Sequence, residues 1–287
     1  MIHSNFKRLG ISIQKIIGKS VLYLVTGITS VLFVLPVFMV LNYSFKTKRE
    51  LVVGNPLKLP ETLQWDNYSY AFYRLDMLRS FTNTAFYTSV SVFIIAIVAG
   101  AAAWAIARNR GRFFKFSYIY FLIGILIPYQ ALFLPIYIIG YTMNLTNNAY
   151  GIIIMYVATG LSFGVFLMTS FMNTVPVELE EASFLDGCSI YRTYFSVVLP
   201  LLKPAVATLI IMQAFQIWND YLLASLFVSK RSLTTLNVVL QSLFSQQSSD
   251  YSSAMAAIII SISPITILYI SVQKYFIQGL TAGAVKG

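Results

Sequence analysis

The chain holds one cysteine, one histidine and only ten acidic residues in 287. A single cysteine, Cys188, excludes an internal disulfide and a cysteine-built metal cluster. The one histidine, His3, stands in an N-terminal tail. No Ser/His/Asp set and no metal-ligand spacing occurs, so no catalytic and no metal-binding residue is assigned and the chain reads as a non-enzyme. Charge of either sign is scarce as well. Charged residues make up 10% of the chain, against about a quarter in soluble domains. A water-solvated globule is therefore excluded.

What fills the space is apolar. The chain is 57% hydrophobic, with a mean hydropathy of +0.73. Its net charge of +10 would suggest nucleic acid in a soluble protein. Here the bases sit mainly at the ends of apolar runs, a pattern that orients membrane spans, and no nucleic-acid partner is implied. Six stretches reach the roughly 20 apolar residues that a spanning helix needs: 20–44, 84–107, 116–140, 150–172, 201–227 and 255–276. Lipid offers no partner to backbone polar groups, so each is expected to be helical. The expected fold class is all-α integral membrane, with six transmembrane helices and a cytoplasmic loop.

Basic residues orient the spans. Lys7, Arg8, Lys15 and Lys19 precede the first, and Arg108, Arg110, Arg112 and Lys115 follow the second, with no acid in either group. Both read as cytoplasmic. The uncharged YTMNLTNNA after the third span reads as external. The 45–83 connection carries bases too, but it is long and diluted by acids, and alternation puts it outside. Six spans then give a cytoplasmic segment 1–19, a six-helix transmembrane domain 20–276 and a cytoplasmic tail 277–287. Within that domain 45–83 and 229–254 are external and 173–200 is cytoplasmic. The protein is expected in the cell membrane, multi-pass, with both termini inside and lipid around it. Pro128, Pro135 and Pro264 should kink their spans, with Gln130, Ser261 or Ser263 meeting the freed carbonyls. Leu233, Leu236, Leu240 and Leu243 at helical spacing predict a short external helix.

Four of the ten acids crowd into VELEEASFLDGCS, Val177 to Ser189. Pro176 suits a first helical turn, and Glu178, Glu180 and Glu181 complement the helix dipole there. Gly187 stands where a left-handed residue ends a helix, and Ser189 can cap the next one. The reading is a helix of about 11 residues, or about 16 Å, then a sharp turn and a second helix. Leu179, Ala182, Ser183 and Asp186 share one face. Small Ala182 and Ser183 invite a close partner, and Glu178 and Glu181 flank them as anchors. A solvated amphipathic helix is, on the residues alone, an equal alternative.

EASFLDGCSIYRTYFSVVLP resembles the signature loop of ABC importer permeases. Glu181, Ala182, Gly187, Leu199 and Pro200 match it at the right spacing, while Ser183 and Val197 are mild departures. IPYQALFLPIY, WNDYLLAS and the ending VQKYFIQGLTAGAVKG are similar to the sugar-importer subfamily, on the side of the smaller, maltose-type permease. The resemblance implies a coupling helix that docks on a separate ATPase dimer. Its contact residues would be Glu178, Glu181, Ala182, Ser183, Asp186 and Gly187. It further implies a second, unlike permease subunit, an external solute-binding protein and a carbohydrate substrate. ATP and Mg would bind to the ATPase, and no cofactor to this chain. IIGKS, Ile16 to Ser20, lacks the first glycine and the preceding strand of a phosphate loop.

The fifth span is the most polar. Gln213, Gln216 and Asp220 would lie on one face of a continuous helix. An ionised aspartate at mid-membrane costs about 2.5–3.5 kcal/mol, which argues against lipid contact. With Gln130 and Asn219, these residues could line a path for a hydroxyl-rich solute, with Trp218 or Tyr221 stacking on sugar rings. Bonds that hold the bundle together are the equal alternative. A reading from another class, a proton-driven carrier or a membrane scaffold, stays open here.

Overall fold

The structure is a computed structural model that describes residues 2–74, 76–245 and 250–284, with side chains left out at 2–17, 74, 245, 272 and 274–284. The last three residues of the expected tail, 285–287, lie outside it, as does the side chain of His3. No strand occurs among the described residues. The helices in order are α1 (Ile2–Ser44), α2 (Lys48–Val53), α3 (Asp66–Arg74), α4 (Met77–Arg108), α5 (Arg112–Leu126), α6 (Phe133–Thr142), α7 (Ala149–Met172), α8 (Glu178–Leu185), α9 (Ile190–Thr193), α10 (Leu199–Leu201), α11 (Lys203–Trp218), α12 (Leu222–Phe227), α13 (Leu236–Ser245) and α14 (Tyr251–Ala284).

Four helical stretches cross-length and apolar enough to span a membrane are unbroken: Gly18–Ser44, Met77–Arg108, Ala149–Met172 and Tyr251–Ser271. Two further spans are bent pairs, Arg112–Leu126 with Tyr129–Thr142 at 92°, and Ile190–Leu201 with Lys203–Trp218 at 76°. The fold is an all-α integral membrane protein, with six spans when each pair counts as one.

The breaks differ from the expected kinks, and proline chemistry gives the reason. Pro128 ends α5 outright, because the residue before a proline is pushed away from helical backbone; Ile127 has φ −85° and ψ 117°. Pro135 falls in the first turn of α6, where an absent N–H is harmless. Leu202 interrupts the fifth span, with Pro200 and Pro204 on either side of it. Pro264 stays inside a continuous α14. Close to it, the carbonyl of Ser261 accepts from Trp218 Nε1 at 3.2 Å. The expected continuous fifth helix is also corrected at its C-terminal end. Helix α11 stops at Trp218, and Asn219 takes φ −90° and ψ 0°. Asn and Asp side chains compete for backbone groups and favour such ends.

The described residues fall into two compact units, one built on Met1–Ala71 with Ser248–Ile259, the other on Phe72–Gln247 with Ile260–Gly287. In the first, the stretch Gly18 to Phe38 is exposed throughout, as suits a helix solvated by lipid or a partner. Its C-terminal end carries a tied-down loop. Asn42 Nδ2 donates to the carbonyls of Pro56 and Lys58 at 3.0 and 3.1 Å. Lys46, 2% exposed, donates to those of Asn55 and Pro56 at 3.1 and 3.3 Å. Thr47 and Glu50 close a capping box on α2. The Glu50 carboxylate also accepts from the Glu61 N–H at 2.8 Å.

In the second unit, α4 and α7 lie against each other and α11 packs on both. Gly164 makes the close approach possible: a Cβ there would sit 2.9 Å from Ala99 Cβ and 3.1 Å from Ile95 Cγ2. The turn after α6 is built by asparagines, which tolerate left-handed backbone. Asn144 and Asn147 have φ of 56° and 57°, and Asn148 caps α7 by accepting from the Gly151 N–H. The short helix predicted from the leucine spacing appears as α13. It is anchored by Thr84 Oγ1, which accepts from the Leu236 N–H at 2.9 Å, and by Tyr87, which donates to the Leu233 carbonyl.

Two outcomes follow from this packing. Gly164→Val forces α4 and α7 apart, and overpacking of this kind costs about 1–3 kcal/mol; thermal unfolding in detergent should show a lowered midpoint. In the loop after α1, hydrogen bonds from the Glu61 N–H, and then from Thr47, hold the Glu50 pKa below its ordinary value. A depressed carboxylate pKa contributes stability that is complete above the unfolded-state pKa and is lost as pH falls through the folded one. Protease protection of 47–61 should therefore weaken in acid below the usual carboxylate range, and Glu50→Gln should remove that acid dependence.

Candidate functional site

Two places gather the polar side chains of the second unit. The first is the segment after α7. The Val177 carbonyl accepts from the N–H groups of Glu180 and Glu181 at 2.9 and 3.1 Å, which starts α8 with three carboxylates in its first turn. The helix has 8 residues, Glu178–Leu185, and not the expected 11. Its start shifts because Val177, and not Pro176, takes the capping position. At its end the Gly187 N–H donates to the Phe184 carbonyl and the Cys188 N–H to the Ser183 carbonyl, both at 3.0 Å. That is a Schellman cap, and Gly187 takes the left-handed φ of 78° that it needs. Ser189 accepts from the Arg192 N–H at 3.4 Å and opens α9.

The two sides of α8 do different things. Glu178, Leu179, Glu181, Ala182, Asp186 and Gly187 are exposed, and Leu185 is 89% exposed. Ser183 faces the other way, contrary to the expected grouping with Ala182. It is 7% exposed, and its hydroxyl meets that of buried Thr193 at 2.9 Å. The pair ties α8 to α9. The reason is the shortened helix, which folds back on α9 at once.

Glu180 was missed by pattern reasoning. It is 4% exposed. Its Oε1 accepts from Arg108 Nε and lies 2.8 Å from Arg108 Nη2, and its Oε2 accepts from Trp104 Nε1 at 2.9 Å. Arg108 Nη2 also donates to the Val175 carbonyl at 3.0 Å. Trp104 packs on Tyr194 with ring centroids 5.0 Å apart. The signal in the sequence was Trp104 and Arg108, four apart at the end of an apolar run and so on one helix face.

The second place surrounds Gln216. This side chain is exposed and lines four cavities, two of which it shares with Gln130 or Asn219. One, about 230 Å³, is formed with Tyr129, Gln130, Thr159 and Ser162; the other, about 720 Å³, with Asn219, Thr266 and Tyr269. The structure thus brings Gln130, Gln216 and Asn219 to open space, with Asn219 Nδ2 also donating to the Phe215 carbonyl at 2.8 Å. The other expected path residues are occupied. Gln213 is 1% exposed and donates to the Gly160 carbonyl at 3.2 Å. Trp218 is 7% exposed; its ring stacks edge-on against Phe81, and its carbonyl accepts from Asn237 Nδ2 at 2.7 Å. No face of Trp218 is offered to a sugar ring. Asp220 accepts from the Tyr156 hydroxyl at 3.0 Å and from the Leu223 and Ala224 N–H groups, so it caps α12. Tyr221 is half-buried at the start of that helix. Although α11 ends at Trp218, Gln213, Gln216 and Asp220 still line one small cavity, together with Tyr129, Tyr156 and Thr159.

Residues 93–282 match the family described as the binding-protein-dependent transport system inner membrane component. The chain belongs to this family. Among relatives, it is 37% identical over 260 residues to the "Probable starch degradation products transport system permease protein AmyC" of Thermoanaerobacterium thermosulfurigenes, covering 90% of this chain and 94% of that protein. It is 30% identical over 268 residues to the "Melibiose/raffinose/stachyose import permease protein MelC" of Bacillus subtilis, covering 93% and 96%. A crystal structure of a bacterial ABC transporter involved in import of the acidic polysaccharide alginate contains a chain similar in fold. The TM-score is 0.80 at 25% identity, over 91% of this chain and 96% of that one. This inner membrane component is accordingly a multi-pass membrane protein, and its relatives are transport permeases.

Asp220 and Gln216 are separable by experiment. Asp220→Ala removes a cap and leaves the Tyr156 hydroxyl without its acceptor, at a cost of about 1–2 kcal/mol. Thermal unfolding in detergent should drop clearly for Asp220→Ala and stay within error for Gln216→Ala, whose side chain faces open space.

Proposed function

We propose that this protein is a permease subunit of a binding-protein-dependent ABC importer for carbohydrate, an oligosaccharide or a smaller sugar. It works with a second, unlike permease, a cytoplasmic ATPase dimer that binds ATP and Mg, and an external solute-binding protein. Both termini lie in the cytoplasm. The binding protein delivers the sugar to the outward-open bundle. Closure of the ATPase dimer moves α8, and α8 carries the spans between outward- and inward-open states.

The observation that carries this reading is the outer side of α8. Three exposed carboxylates, Glu178, Glu181 and Asp186, surround Ala182 and the protruding Leu185, and the helix ends in a left-handed glycine. An apolar knob ringed by acids fits a partner cleft with a basic rim. Ser183 serves the same site from within, through Thr193. The sugar path runs past Gln216, Gln130 and Asn219, whose amides can bond hydroxyls. Gln213, Trp218, Asp220 and Tyr221 support the wall of that path. The names of the relatives, which concern starch degradation products and raffinose-type sugars, support the substrate class. A proton-driven carrier is the weaker reading, since the Asp220 carboxylate is taken up by three hydrogen bonds.

Gly187→Pro tests the coupling part. Proline holds φ near −65° and cannot take the 78° seen here. The variant should insert and unfold normally, yet lose co-purification of the ATPase in mild detergent. Glu181→Lys should do the same through charge alone. Normal ATPase capture by a well-folded Gly187→Pro protein would refute the reading.

A further inference from the structure

The buried ion pair under α8 has a use that the docking surface does not supply. Arg108 and Glu180 lie 2.8 Å apart, with side chains only 16% and 5% exposed. Every strong donor at the site is directed: Arg108 Nε and Trp104 Nε1 reach the two oxygens of one carboxylate, and Arg108 Nη2 reaches the Val175 carbonyl just ahead of α8. All these donors belong to the last turns of α4. A second connection runs beside it. Tyr194 stacks on Trp104, and its hydroxyl crosses Gly100, where a Cβ would come within 2.6 Å of it. So α8 is joined to the end of α4 from one side and the start of the fifth span from the other. Between these joints, Ser183 and Thr193 bind α8 to α9.

We infer that Arg108, Glu180 and Trp104 form a clamp that makes α8 and the inner end of α4 move as one body, so that displacement of α8 is delivered to α4 and through it to α7. This rests on the proposed coupling role of α8 and adds the route by which its motion enters the bundle. The residues are positioning residues: they touch neither the solute nor the outer surface of α8. Directed bonds suit this task, because apolar packing alone allows two helices to slide. A fully bonded buried pair also has a steep alternative, since opening it leaves a charge without a partner.

The test uses the full importer complex, with Cys188→Ser in this chain and spin labels on Arg110→Cys, two residues beyond the end of α4, and Tyr191→Cys on α9. Both positions are exposed. With the clamp intact, the distance between the labels should be the same in the nucleotide-free complex and in the complex trapped with ATP and vanadate. In Glu180→Met with Arg108→Met, which leaves no unpaired charge and so should fold, trapping should shift or broaden that distance. Trp104→Phe keeps the ring on Tyr194 and loses one bond, and should give a smaller shift in the same sense. A distance that changes on trapping in the unaltered clamp, or that stays fixed in the double methionine variant, would overturn the inference. Failure of the coupling reading looks different: the unaltered chain would not capture the ATPase at all.

Discussion

Backbone N–H and C=O groups have no water to bond inside a bilayer, and the architecture of this chain follows from meeting that demand. Long apolar runs satisfy it by being helices. Where a helix stops, something must take over. Asp220 does so for the start of α12, and Asn148 for the start of α7. Trp218 Nε1 supplies a donor beside Pro264. The polar residues that interrupt the apolar runs are therefore, in large part, the means by which breaks become tolerable. Only those left over from this duty, Gln216 and Gln130 above all, face open space.

The same economy shapes the segment after α7. Helix α8 is too short to hold itself together, since isolated helices below about 12 residues are marginal. It is stabilised by its ends and its buried side. Carboxylates occupy the first turn, a Schellman cap closes the last, and Glu180 and Ser183 fasten the inner face. The outer face is thereby free to carry acids and a bare leucine that no interior contact requires.

Much of this was readable along the chain. Runs of apolar residues gave the spans and Gly187 its left-handed turn, because each depends on neighbours in sequence. The breaks at Pro128 and Leu202 were half visible: prolines marked the places, but whether a helix kinks or stops depends on what its neighbours offer the freed groups. Trp218 and Gln213 could not be assigned from their type. An aromatic or amide in a span suits a solute as well as a facing carbonyl, and only the position of Ser261 or Gly160 decides between them.

The sequence by itself determined that this is a six-span membrane protein with a bent acidic element between two spans, because hydrophobic length and turn chemistry are local properties. The tertiary structure alone decided which polar groups are spent on the bundle and which are left for work. It alone revealed that Glu180, one of three adjoining carboxylates of the same charge and helix, is buried against Arg108 while Glu178 and Glu181 face outward. Those three differ in nothing but their angle around α8, and that angle is fixed by α4, about 70 residues earlier in the chain.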